Sequence, residues 1–155
     1  VSGAHLQAAR DGGYLVGRAI TQEKGFSAAA VVSGITNLIC NTGTNDIPSY
    51  TPDYLEGEFW EKRRLWEDRS PILNAQNAST PTLILHGNDD RRVPVTQGHE
   101  LRTALKRNNV RTQMVVYPRE RHGIEAPKFQ CDALNRVLKW IDYHVLQRQS
   151  ADAVE

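Results

Sequence analysis

Two short loops carry the residue types that could do acid–base chemistry. His86-Gly87-Asn88-Asp89-Asp90-Arg91-Arg92-Val93-Pro94 follows one apolar run, and Tyr117-Pro118-Arg119-Glu120-Arg121-His122-Gly123 follows the next. A carboxylate just beyond a buried strand end is rigid and partly desolvated, which suits it to orient an imidazole. On chemical grounds alone either Asp89 or Asp90 could serve. An imidazole, whose unperturbed pKa is about 6.5, takes and returns a proton near neutral pH. His122, with a glycine behind it, can swing its ring over the neighbouring loop. Taken singly, each loop reads as a solvated turn, and the joint pattern of acid after one strand and histidine after the next is what points to catalysis. Arg92 reads as an ion-pair partner and His86 as a packed or hydrogen-bonded residue of a strand end. Trp60 and Trp66 could either wall a substrate site or pack. The five histidines show no ligand spacing such as His-x-x-x-His, so no metal or cofactor is expected.

The elements that must position these loops are legible in the hydrophobic pattern. Ala28–Ser33 and Thr82–His86 are short, continuous apolar runs suited to fully buried parallel strands, and Thr112–Tyr117 is a third. Tyr14–Thr21 is long enough for a short helix. Between the second and third strands, Pro94 opens a helix whose apolar face is Leu101, Ala104 and Leu105, and Asn108-Asn109 closes it. Pro127 opens a last helix with a stripe of Leu134, Val137, Leu138, Ile141 and Val145, and Asp132 and Arg136 are spaced to pair across one turn. The tail from Gln147 reads as frayed. Residues 34–79 form a long excursion with one or two short helices. Strand–helix alternation implies right-handed crossovers and a parallel sheet, whose ligands bind beyond the carboxyl ends of the strands. The expected class is therefore α/β, with about three strands, in one domain over residues 1–155.

The segments PTLILHGNDDRRVP, VVYPRERHG and DALNRVLKWIDYHVL, with GGYLVGRAIT, FSAAAVVSGITNL and WEDRSPI upstream, closely resemble the prolyl oligopeptidase family of α/β-hydrolases. Acylaminoacyl peptidases and dipeptidyl peptidases belong to that family. The resemblance covers about residues 12–146, leaving 1–11 as an unmatched leader and 147–155 as a tail. It implies an incomplete α/β-hydrolase fold and a serine-type peptidase or esterase working through an acyl-enzyme, in the chain order serine, acid, histidine. By position in the family's motif the triad acid falls on Asp90 and the triad histidine on His122.

The nucleophile departs from the family. Its elbow, glycine-x-serine-x-glycine-glycine, ends here in Gly12-Gly13, and counting back places Arg10 at the serine and Ala8 at the first glycine. A guanidinium stays protonated and offers no nucleophilic lone pair. Asp11 follows, and its charge would oppose an oxyanion. Ser27 precedes a strand, and Ser33 ends one but is followed by Gly-Ile-Thr-Asn, which the family shows as ordinary loop, so neither is expected to substitute. The expectation is a C-terminal catalytic fragment, inactive alone, with VSGAHLQAAR foreign to the family. The alternative is a natural pseudoenzyme that serves as an interaction domain.

Bulk properties exclude several partners. Nineteen basic against eighteen acidic residues, a formal net charge of +1, give no electrostatic reason to expect nucleic acid or an anionic membrane. No apolar run approaches the roughly 18 residues of a spanning helix, and the first residues lack a secretory signal pattern. Cys40 and Cys131 match no metal or redox spacing and are expected to be buried free thiols, compatible with a cytoplasmic setting. With three strands, Ala28–Ser33 would be an unpaired apolar edge, so a homo-oligomer through that edge is expected. The complete family implies a peptide or small ester as substrate.

Overall fold

Four parallel strands form the sheet of this computed structural model, which describes residues 5–9 and 11–152. In chain order, β1 (His5–Ala9) leads into α1 (Asp11–Gln22), and β2 (Ala28–Val32) into the short helices α2 (Leu38–Thr44), α3 (Tyr50–Tyr54) and α4 (Arg63–Arg69). A 3-10 segment, Pro71–Asn77, precedes β3 (Thr82–Gly87). Then follow α5 (Thr96–Arg107), β4 (Thr112–Tyr117) and α6 (Pro127–Asp152). The strands lie in sequence order, β1-β2-β3-β4, with Val31 opposite Ile84 and Ile84 opposite Met114.

Strand alternation assigns the two faces. Ala29, Val31 and Ile84 point to the side covered by Val16 and Ile20 of α1 and Leu101 and Leu105 of α5. Ala28, Ala30, Leu83 and Leu85 point to the side covered by Val137 and Trp140 of α6. Because helices cover both faces, β2 and β3 are continuous apolar runs rather than alternating ones. Asn109, in the left-handed conformation at φ 58°, ends the α5 turn as an asparagine can.

The structure revises several details of the sequence reading. Among the described residues the sheet has four strands where about three were expected: His5–Ala9, read as an unmatched leader, pairs in parallel with Ala28–Val32. The edge expected on Ala28–Ser33 is therefore covered, and β1 and β4 are the outer strands among the described residues. A five-residue strand with one clearly apolar large residue, Leu6, carries too weak a pattern to read alone. On α6 the buried face is Val137, Trp140 and His144, while Leu134 and Leu138 are 57% and 50% exposed. This helix carries more apolar residues than one face can hold, and docking selects the face with the large Trp140 ring. Cys40 and Cys131 are free but exposed, since α2 turns Leu38 and Asn41 inward instead. Finally, α6 continues as helix through Asp152, past the expected fraying at Gln147.

Candidate active site

The loops after β3 and β4 are stitched together by their backbones. Asn88 N–H donates to Tyr117 O and Asp89 N–H to Glu120 O, each at 2.9 Å. A Cβ at Gly87 would overlap the carbonyl oxygens of Arg121 and Glu120, so only glycine lets the second loop cross the end of β3. Arg119 turns that loop in the left-handed region at φ 63°. The buried Glu120 then anchors its return, its carboxylate accepting the N–H groups of Glu125 and Ala126.

This crossing brings Asp90 and His122 together. His122 Nδ1 lies 3.0 Å from Asp90 Oδ2, the carboxylate side chain fully buried and the imidazole 26% exposed. Asp90 Oδ1 accepts the N–H groups of Arg92 (3.0 Å) and Val93 (2.8 Å), which fixes the carboxylate plane. Burial opposes ionisation of Asp90. Hydrogen bonds from His122, His86 and the Val93 N–H outweigh it and hold the carboxyl well below the usual carboxylate range. A carboxylate only accepts, so Nδ1 of His122 is assigned the proton. Its Nε2 then carries a lone pair and makes no hydrogen bond among the described residues. Among the described residues Asp89, the other acid the sequence left open, pairs its carboxylate only with the side chain of Asn88 next to it.

The supporting residues have ordinary structural duties. His86 is fully buried, with Nε2 2.7 Å from Val93 O and 3.5 Å from Asp90 Oδ2. Because Val93 O can only accept, Nε2 of His86 bears the hydrogen and its Nδ1 has no partner among the described residues. Arg92 donates from Nε to Asp46 at 2.6 Å, an ion pair across the excursion. Trp66 is fully buried with its indole N–H on Gly57 O, whereas Trp60 is exposed against Phe59. Both tryptophans pack rather than line the clefts described here. Sequence reading missed Glu120, Asp46 and Asn41. No periodic signal marks them, because each acts through a partner distant in the chain or through a loop.

Asp90, His122, Asp46, Arg92 and Asn41 line a cleft of 1150 Å³ at the carboxyl end of the sheet. Asn41 is buried, and its Oδ1 has no hydrogen-bond partner among the described residues. A second cleft of 740 Å³ shares Ile35 and Tyr50 with the first and reaches Tyr14 in the first turns of α1.

β1 ends at Ala9 and α1 begins at Asp11, the strand-to-helix order in which a nucleophile elbow occurs, with one residue between them. That residue is Arg10, which lies outside the described residues. At Gly13, in the first turn of α1, the packing is tight. A Cβ on Gly13 would overlap Val32 O and come within 2.9 Å of Gly34 Cα, so the first turn of α1 rests directly on the end of β2. Neither alternative serine is suitably placed. Ser27 precedes β2, at the end of the sheet away from Asp90. Ser33 follows β2 at φ 48° but is only 1% exposed. Neither hydroxyl has a hydrogen-bond partner. Among the described residues no group of three or more His, Cys, Asp or Glu side chains could hold a metal ion, and no helix is long and apolar enough to cross a membrane.

Comparison with known proteins places these features in context. The sequence profile described as the prolyl oligopeptidase family matches residues 11–148. An uncharacterized peptidase of Bacillus subtilis, YuxL, is 35% identical over 139 residues, covering 86% of this chain and 21% of that protein. Acylamino-acid-releasing enzyme 1 of Oryza sativa is 31% identical over 156 residues, covering 94% and 19%. The chain thus spans about a fifth of the length of the curated relatives it matches. Among solved structures, a puromycin-hydrolyzing peptidase of Mycobacterium tuberculosis superposes with a TM-score of 0.85 at 25% identity, covering 91% of this chain and 22% of that one. The acylaminoacyl peptidase of Pyrococcus horikoshii superposes with a TM-score of 0.84 at 21% identity over 91% and 24%, a likeness of fold.

Proposed function

The chain belongs to the prolyl oligopeptidase family, and on that premise we propose that Asp90 and His122 are the acid and base of a serine-type peptidase or esterase site whose nucleophile position is held by Arg10. The observation that carries this reading is the 3.0 Å contact from His122 Nδ1 to a fully buried carboxylate. In that role Nε2 of His122 takes the proton of an attacking hydroxyl, and the ionised Asp90 stabilises the imidazolium formed. The same Nε2 then returns the proton to the leaving group. Backbone N–H groups at the start of α1 are the natural oxyanion donors, and the substrate is a peptide or small ester lying in the cleft. With arginine at the elbow no acyl-enzyme forms, so the chain as it stands is an inactive member of its family.

A fluorophosphonate probe with mass mapping tests this. The unaltered chain is expected to take no label, whereas Arg10→Ser, or Arg10→Ser with Ala8→Gly to relieve the elbow, takes label at position 10. Label on any serine of the unaltered chain would overturn the inactivity. A folded double variant that stays unlabelled would overturn the site. Arg10 itself favours a second reading, a non-catalytic assembly module, which that last outcome would leave standing.

A further inference from the structure

The second cleft has a chemistry of its own. Ile35, Leu38 and Leu65 give it apolar walls, and Thr51, only 3% exposed, contributes a hydroxyl with no hydrogen-bond partner among the described residues. Three cations, Arg18, Lys62 and Arg69, line it against one carboxylate, Glu56. Arg18 donates to the backbone carbonyl of Asp68 at 2.6 Å and Lys62 to that of Leu55 at 3.0 Å. Both therefore spend hydrogen bonds on neutral acceptors, and none of the three forms an ion pair among the described residues. The two guanidiniums flank Tyr14, whose hydroxyl donates to Arg69 O. Burial pushes the Tyr14 hydroxyl up, while the charges of Arg18 and Arg69 oppose that shift.

We propose that this cleft binds a carboxylate carried on a short apolar stem, belonging to a peptide that runs along the groove past Ile35 and Tyr50 toward His122. The proposal deepens the reading of the groove as a peptide site and rests on it. An uncharged occupant would fill the apolar walls but leave an excess of two positive charges at the rim uncompensated. A carboxylate there gains charge-assisted hydrogen bonds from the guanidiniums, and the Thr51 hydroxyl gains a partner. The stem packs between Leu38 and Leu65. Two sources present this chemistry: the side chain of a glutamate, and the C-terminal carboxylate of an apolar residue.

Binding followed by amide chemical shifts separates these cases. The probes are N-acetyl-alanyl-glutamate amide, N-acetyl-alanyl-leucine with a free carboxylate, N-acetyl-alanyl-leucine amide and N-acetyl-alanyl-lysine amide. At low salt at least one of the two anionic peptides is expected to bind about tenfold tighter than the neutral leucine amide, as a charge-assisted contact predicts. It should shift the Tyr14 and Thr51 amides and weaken as salt rises. Whichever anionic peptide binds names the source of the carboxylate. Arg69→Gln, at an exposed position that leaves the Tyr14-to-backbone bond in place, should abolish the preference without changing the fold. Equal or tighter binding of the neutral or lysine peptide, or shifts confined to other parts of the chain, would overturn the proposal. The readout is binding, so a failed Arg10→Ser labelling leaves this test intact. Failure of the peptides to bind leaves the labelling test intact in turn.

Discussion

The elbow between β1 and α1 and the pair of loops after β3 and β4 sit at the same end of the sheet, and the chain has kept different things in each. In the loops both backbone and chemistry are present: Gly87 admits the crossing, Glu120 anchors it, and Asp90 meets His122. At the start of α1 the backbone is equally close, with Gly13 resting on Val32 and Gly34, yet on the proposed reading Arg10 stands at the sequence position of the family's serine. Close packing and chemistry are separable demands. The glycine contacts belong to the fold and persist whether or not a nucleophile stands beside them, whereas a nucleophile can be exchanged without disturbing the core.

The largest expected effect would erase the difference between the two regions. On the Arg10→Ser background, His122→Ala should slow hydrolysis of an activated ester by about 10⁴-fold, because the loops then act on a hydroxyl at the elbow. The same His122→Ala in the unaltered chain should change no turnover at all. A stopped assay with p-nitrophenyl acetate checks both, and an equal loss in each would break the comparison.

Next come the glycines, where both regions should behave alike. Gly13→Ala and Gly87→Ala each force a Cβ into backbone carbonyl oxygens. Each should destabilise the chain by about 3 kcal/mol, visible as a melting temperature lower by ~10 °C. If Gly13→Ala is neutral, the elbow is not packed as the loops are.

Asp90→Asn should cost about 2 kcal/mol at neutral pH, since it removes a buried ion from four hydrogen-bonding partners. Its pH dependence has a definite sign. The folded carboxyl lies below its unfolded value, so the unfolded chain binds more protons as the solution is acidified. This stabilisation is complete above the unfolded carboxyl pKa of about 3.9 and is lost as pH falls through the folded value. Urea midpoints of the parent and Asp90→Asn should therefore differ at pH 7 and converge in acid. A constant gap would mean the carboxyl is not held ionised by the fold.

The smallest effect is expected at the rim. Arg92→Ala removes an exposed ion pair with Asp46, which solvent screens, so the melting temperature should hold within error. A clear drop would show that the excursion depends on Arg92 to seat it against the loops.

Much of the fold was readable because it rests on local pattern. The runs Ala28–Ser33, Thr82–His86 and Thr112–Tyr117 are apolar enough to announce buried strands, and Pro127 marks the start of α6. The strand His5–Ala9 was not readable, because it gains its stability by pairing with β2 rather than from its own residues. The facing of α6 was equally hidden, since Leu134 and Leu138 are as apolar as Val137 and only docking separates them. At the site, Asp90 and His122 were legible as strand-end residues, and the choice of Asp90 over Asp89 came from motif position. Glu120 and Asn41 were illegible because they act through contacts that no spacing along the chain records.

By itself, then, the order of residues determined the alternating α/β plan and the two loops, both consequences of side-chain type and period. The tertiary structure alone decided that the loops cross closely enough for a carboxylate to hold an imidazole at 3.0 Å. It also decided that the side chains of Ser27 and Ser33 are buried. Period and composition act over a few residues, whereas a hydrogen bond between positions 32 apart in the chain exists only once the sheet has set both strand ends side by side.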